Sequence, residues 1–147
     1  LLHLMTDHDA EGRPAIDFFN RLRTSRGERG NMVDVKRNGL RIIADAARIF
    51  ALQSGVAARS TPERLNALVH LGKFSSDFIT AVIEAYEELL DLLLEHQIEQ
   101  AKANMQPDKY IDPKQLTDQG RNALQMAMRS VKRLQDSLQK EFGTEIF

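Results

Sequence analysis

The stretch Ser75–Ala103, SSDFITAVIEAYEELLDLLLEHQIEQAKA, decides the fold. Wound at about 3.6 residues per turn, it brings Phe78, Val82, Ala85, Leu89, Leu92 and Leu93 into one sector, so the spacing predicts an amphipathic helix from about Ser76 to Ala103. The Ser75 hydroxyl is placed to cap the first free amides, and Phe74 stands where a hydrophobic staple reaches Ile79. The same sector carried forward reaches His96 and Gln100, with Gln97 further round the apolar arc. The helix therefore turns polar on the side that faces the core.

Neighbouring segments supply what such a helix packs against. Leu40, Ile43, Ala44, Ala47, Phe50 and Ala51 recur at helical spacing, which predicts a helix that starts between Asp34 and Asn38 and stops by Gly55. Ser60-Thr61-Pro62-Glu63 combines a hydroxyl cap, an early proline and a third-position glutamate, the start of a short helix to about Leu71 that Gly72 breaks. Pro107 and Asp112-Pro113 mark a loop. Beyond it Leu124, Ala127, Met128, Val131, Leu134, Leu138 and Phe142 form a stripe along a helix from about Thr117 to Phe142. The expected fold is all-α, an antiparallel bundle of about four main helices with a small irregular or hairpin segment before it. Within 15–36, IDFFNRLRT is ambiguous between helical turn and strand, while NMVDVK alternates as a strand does. Residues 1–14, LLHLMTDHDAEGRP, read as a remnant or linker from an upstream domain, with 15–147 as the helical domain.

Composition narrows the function. The chain has 147 residues, 42% of them hydrophobic, enough for one domain with its own core. It has no cysteine, which removes a disulfide framework and any thiolate metal site and fits a reducing compartment, so the cytoplasm is the expected location. The formal net charge is −1 with basic and acidic residues interspersed, so the broad positive surface of a nucleic-acid partner is not expected. No apolar run reaches membrane-spanning length.

The ordered set DFFNRLR, VDVKRNGLRIIADAARIFALQSGV, TPERLNAL, AYEELLDLLLEHQIEQ, PDKYIDP and LTDQGRNALQMAMRSVKRLQDSL resembles the nucleotidyltransferase substrate-binding domain family over about Ile16–Phe142. That family is the helical C-terminal part of bacterial signal-transduction proteins that also carry cyclic-nucleotide-binding or CBS modules. The resemblance implies an upstream neighbour similar to the uridylyltransferases that modify PII nitrogen-regulatory proteins. A glycine-serine turn followed by paired aspartates, which such a transferase uses to hold its nucleotide, is not found in this chain. The implied role is substrate recognition or regulation without catalysis, and nucleotide and Mg are expected only in the catalytic domain. A protein acceptor, a small ligand and a second copy are the other partners considered.

Candidate site residues follow from both readings. His96, Gln97 and Gln100 offer orientable donors and acceptors to a polar ligand where the bundle opens, or else satisfy backbone groups inside it. Lys36 and Arg37 sit beside a helix start, where the helix dipole disfavours cations, so a phosphate is one reason for them and balance by Asp34 and Asp45 is the other. Arg48 matches an arginine of the family and reaches either the cleft or a helix-borne glutamate such as Glu84 or Glu88. Tyr110 covers a ligand or plugs the bundle end. Arg121 extends the Leu124 stripe inward or stays solvated. Two rival readings remain. Arg64 and His70 in RLNALVH resemble the catalytic pattern of HEPN-type ribonucleases, and Ile79, Ile83, Leu90 and Leu94 lie outside the His96 sector, as a structural helical dimerisation module would require. The four histidines show no ligand pair at helical spacing, so no metal site is expected.

Overall fold

In a computed structural model the described residues are 31–142. A two-residue strand β1 (Val33–Asp34) leads into a wide turn, Lys36–Leu40, and then into α1 (Arg41–Gln53), α2 (Thr61–His70) and α3 (Ser76–Lys102). After α3 come β2 (Tyr110–Ile111), a short 3-10 turn (Pro113–Gln115) and α4 (Asp118–Phe142). The predicted all-α bundle is what forms. α3 packs along α4, α1 packs on both α2 and α4, and the wide turn rests on α3.

Local chemistry sets the helix ends as read from the sequence. The Ser60 hydroxyl accepts from Glu63 N–H and the Ser75 hydroxyl from Phe78 N–H, each at 3.2 Å. The α4 start is capped by Thr117, whose hydroxyl accepts from Gly120 N–H at 3.0 Å. α1 and α2 stop at Gly55 and Gly72, both with φ of 72°. α3 stops the same way with a different residue: Asn104 takes φ of 56°, and Met105 N–H reaches back to the Gln100 carbonyl at 2.8 Å. Asparagine tolerates this left-handed geometry better than other side-chain-bearing residues.

The core is one cluster. Val33 and Val35 join Ile42, Ile43, Ile49 and Phe50 of α1, Leu65 and Leu68 of α2, Val82 and Leu89 of α3, and the α4 stripe from Leu124 to Leu138. α3 and α4 run antiparallel, since the 103–117 connection turns the chain back and Arg133, late in α4, lies 4.9 Å over the Phe78 ring early in α3. α1 and α4 finish side by side, where Gln53 donates to Glu141 at 3.0 Å and Phe50 and Phe142 stand 6.1 Å apart.

Two expectations need correction. The alternating NMVDVK does form a strand, but its partner is distant: Val33 pairs with Ile111 and Asp34 with Tyr110, antiparallel, so the loop after α3 contributes β2. The IDFFNRLRT reading lies outside the described residues, as does the 1–14 segment. Phe74 packs against the core cluster that contains Ile79 and is also held by aromatics, edge-on to Phe50 at 5.0 Å and 5.5 Å from Phe78. Ile79 is itself core, 1% exposed, and Ile83 packs against the core, because α2 and the wide turn, together with α4, cover a broader arc of α3 than one helix neighbour would.

The wide turn is a local loosening with a cause. Leu40 N–H donates to the Val35 carbonyl at 3.0 Å and Arg41 N–H to that of Lys36, bonds that span five residues rather than four. Gly39 sits inside it, buried against α3 and α4. A methyl group there would stand 2.8 Å from Leu89 Cδ1 and 3.1 Å from Met128 Cε, so only glycine lets the backbone approach this closely.

Candidate functional site

The polar end of α3 closes on a single loop residue. His96 Nε2 lies 2.7 Å from Asp108 Oδ1, Gln97 Nε2 donates to the Asp108 carbonyl at 3.1 Å, and Asp108 N–H donates to Gln100 Oε1 at 2.9 Å. A carboxylate can only accept, so the His96 Nε2 carries the proton it shares. The loop folds to meet these groups because Pro107-Asp108 starts an Asx turn, with Asp108 Oδ1 also accepting from Tyr110 N–H at 3.1 Å. That turn delivers the chain into β2. Gln100 is 6% exposed, so without Asp108 its amide would face a costly burial.

Electrostatics follow from this packing. Burial pushes the Asp108 carboxyl up, but hydrogen bonds from His96, the Tyr110 amide and Gln100, with the His96 charge, outweigh it and hold the group below its ordinary value. Asp34, on β1, does similar service at the other strand. It accepts from Arg37 N–H at 2.9 Å, capping the wide turn, and pairs with Lys109 at 3.1 Å. Lys109 in turn lies 5.8 Å from the Tyr110 ring centre.

Beside the Asp108 clamp lies an open groove of about 920 Å³. One wall is the end of α3, with Leu92, Glu95, His96, Glu99 and Gln100. The opposite wall is the returning chain, with Met105, Asp108, Tyr110, Ile111, Asp112 and Leu116. Its volume falls in the range of small-molecule sites, roughly 300–1,000 Å³. The groove is apolar at its base and polar at its rim, since Leu92 and Ile111 are buried while Glu95 and Glu99 are exposed.

The candidates read from the sequence divide accordingly. His96, Gln100 and Tyr110 share the groove, and Gln97 supports it through the Asp108 carbonyl. Lys36, Arg37, Arg48 and Arg121 are not among its described lining residues. Lys36 and Arg37 are exposed at the wide turn, where Asp34 supplies the anion that the helix start requires. Arg48 pairs with Asp45 at 3.3 Å, one turn back on its own helix, in place of Glu84 or Glu88. Arg121 bonds the Pro113 carbonyl at 3.1 Å and Asp118 at 3.2 Å, tying the 3-10 turn to the start of α4. Of the ribonuclease-like pair, Arg64 Nε donates to the Ala58 carbonyl at 3.1 Å and His70 is exposed at the helix end. Sequence reasoning missed Asp108, Glu95, Glu99, Asp112 and Met105. The Pro107-Asp108 turn signal, two residues before Tyr110, was the one local mark of the first.

A helical bundle with a ligand-sized groove at one end defines a binding domain. Specifically, the chain belongs to the family described as "Putative nucleotidyltransferase substrate binding domain", whose model matches residues 1–142. No curated protein and no solved structure matches it. Among the described residues, no helix is long and apolar enough to cross a membrane.

Proposed function

We propose that the groove between the end of α3 and the β2 segment holds the acceptor of a nucleotidyl transfer, while a nucleotidyltransferase domain of the same polypeptide performs the chemistry. The observation that carries this reading is the groove itself: about 920 Å³, concave, with an apolar base and convergent polar groups from His96, Gln100 and Tyr110. Family membership supports the substrate-binding role. In this reading the domain is non-catalytic, works in bacterial signal transduction in the cytoplasm, and leaves nucleotide and Mg to its partner domain. The Asp108 clamp keeps the groove open without using the ligand, since it joins its two walls through protein groups alone.

Site-specific cross-linking tests this. A benzophenone side chain placed at Met105, 57% exposed on the groove wall, should capture the acceptor during turnover of the two-domain protein. Capture of the nucleotide alone, or of neither, refutes the assignment.

A second reading, a dimerisation module, has one observation in its favour: Leu90, Leu94 and Ile98 form an exposed ridge on α3, at 37%, 48% and 53%. Glu87, Asp91 and Glu95 flank that ridge, so two copies would bring like charges together. Sedimentation over a hundredfold dilution separates the readings, because the acceptor-site account requires no self-association.

A further inference from the structure

The groove has a one-sided charge pattern. Glu95, Glu99, Asp108 and Asp112 all line it, whereas no lysine or arginine does among the described residues. The surrounding cations are turned to other work. Lys109 binds Asp34 on the β1 side, and Lys102 pairs with Glu99 at 3.4 Å, a contact in which both side chains are mostly solvated and which a bound cation would displace. Of the four carboxylates, Asp108 is occupied by His96 and the Tyr110 amide, and Asp112 caps the 3-10 turn by accepting from Lys114 N–H at 3.0 Å. Glu95 stands at the rim, exposed, one helical turn from Glu99. Beneath them the base is hydrocarbon, from Leu92, Ile111 and Leu116.

From this we infer that the groove takes a small organic cation: an acceptor with an ammonium group bound by Glu95 and Glu99 and an apolar body laid on Leu92, Ile111 and Leu116. The inference rests on the acceptor-site reading above and names the chemistry of that acceptor. Charge complementarity excludes the alternatives. A nucleoside triphosphate would bring its phosphates against four acidic residues with no lysine or arginine among the described lining and with His96 already held by Asp108, so the groove is left to the other reactant. A ligand without charge would forgo the attraction of the rim carboxylates, and an anionic one would be repelled.

The test uses probes of equal size and different charge: hexylamine, hexanol and hexanoate, with ATP as the nucleotide control. Binding to the 147-residue chain is followed by amide NMR shifts of Asp108, Tyr110 and Ile111. Hexylamine is expected to give saturable shifts, with affinity at least tenfold above hexanol and no saturable response to hexanoate or ATP. In the Glu95→Gln, Glu99→Gln double variant, whose substitutions are exposed and leave the core intact, hexylamine affinity should fall to that of hexanol. Equal affinity for hexylamine and hexanoate, saturable binding of ATP at these amides, no hexylamine response, or full retention of hexylamine affinity in the double variant each overturns the inference. Hexylamine binding as described, combined with failure of the Met105 cross-link to capture an acceptor, leaves the cation site standing and removes its assignment as an acceptor site; the reverse combination keeps the acceptor site and removes the cation.

Discussion

Replacing Asp108 by alanine removes the bonds of its carboxylate, among them the 2.7 Å contact with His96 and the 3.1 Å bond from Tyr110 N–H, while leaving its backbone bonds to Gln97 and Gln100. A hydrogen bond to a charged group contributes about 1.5 kcal/mol at the low end of its range, suited to side chains that keep a quarter of their surface in water, and the lost Asx-turn bond about 1 kcal/mol more. The expected loss is therefore about 2.5 kcal/mol, or roughly 7–10 °C in melting temperature for a domain of this size. Calorimetry on Asp108→Ala checks it, with Asp108→Asn as the milder partner, since the amide oxygen still accepts from Tyr110 N–H and only the charge assistance is lost. The effect has a pH signature. A carboxyl held below its ordinary value contributes stability that is fully present above its unfolded value of 3.8 and is lost as pH falls through the lower folded value. The gap between wild type and Asp108→Ala should thus hold steady at mildly acidic pH and close below 3.8. A melting temperature within about 1 °C of wild type, or a gap that widens in acid, would show that the polar end of α3 is not held by this clamp.

Two further substitutions probe the scaffold. Gly39→Ala forces a methyl group to within 2.8 Å of Leu89 Cδ1, and overpacking of this kind costs about 1–3 kcal/mol, measurable by urea unfolding with an unchanged slope. Asn104→Val places a β-branched residue at φ of 56° and should cost about 1–2 kcal/mol, whereas Asn104→Gly should be neutral or stabilising; equal stability of all three would remove the left-handed stop from the account of how α3 ends.

The helices were legible because their signals are local. Caps at Ser60 and Ser75, stops at Gly55 and Gly72, and the α4 stripe each depend on residues within a turn or two of one another. The features that build the groove were not legible for the opposite reason. His96, Gln97 and Gln100 announced a polar requirement, but its source, Asp108, lies across a reversal of chain direction that no helical period encodes. The strand character of NMVDVK was legible, but its pairing was hidden likewise: Val33 and Ile111 are distant in sequence, and the two-residue β2 leaves almost no alternating pattern. The end of α3 near Ala103 was legible, but the left-handed role of Asn104 was not named, because glycine is the commoner residue at such a stop. Charge was legible only in part. Lys36 and Arg48 drew notice as cations beside apolar segments, yet their neighbourhood is set by Asp34 and Asp45 one turn away, while the carboxylates that share a groove came from two walls.

The central claim, that this groove seats the acceptor, is tested most directly by steady-state transfer kinetics of the two-domain protein carrying Met105→Arg. Met105 is exposed on the groove wall, so the substitution inserts a long cation into the space without disturbing the core. The account predicts an acceptor KM raised at least tenfold, with the nucleotide KM and the melting temperature unchanged. An unchanged acceptor KM, or a rise confined to the nucleotide KM, contradicts it.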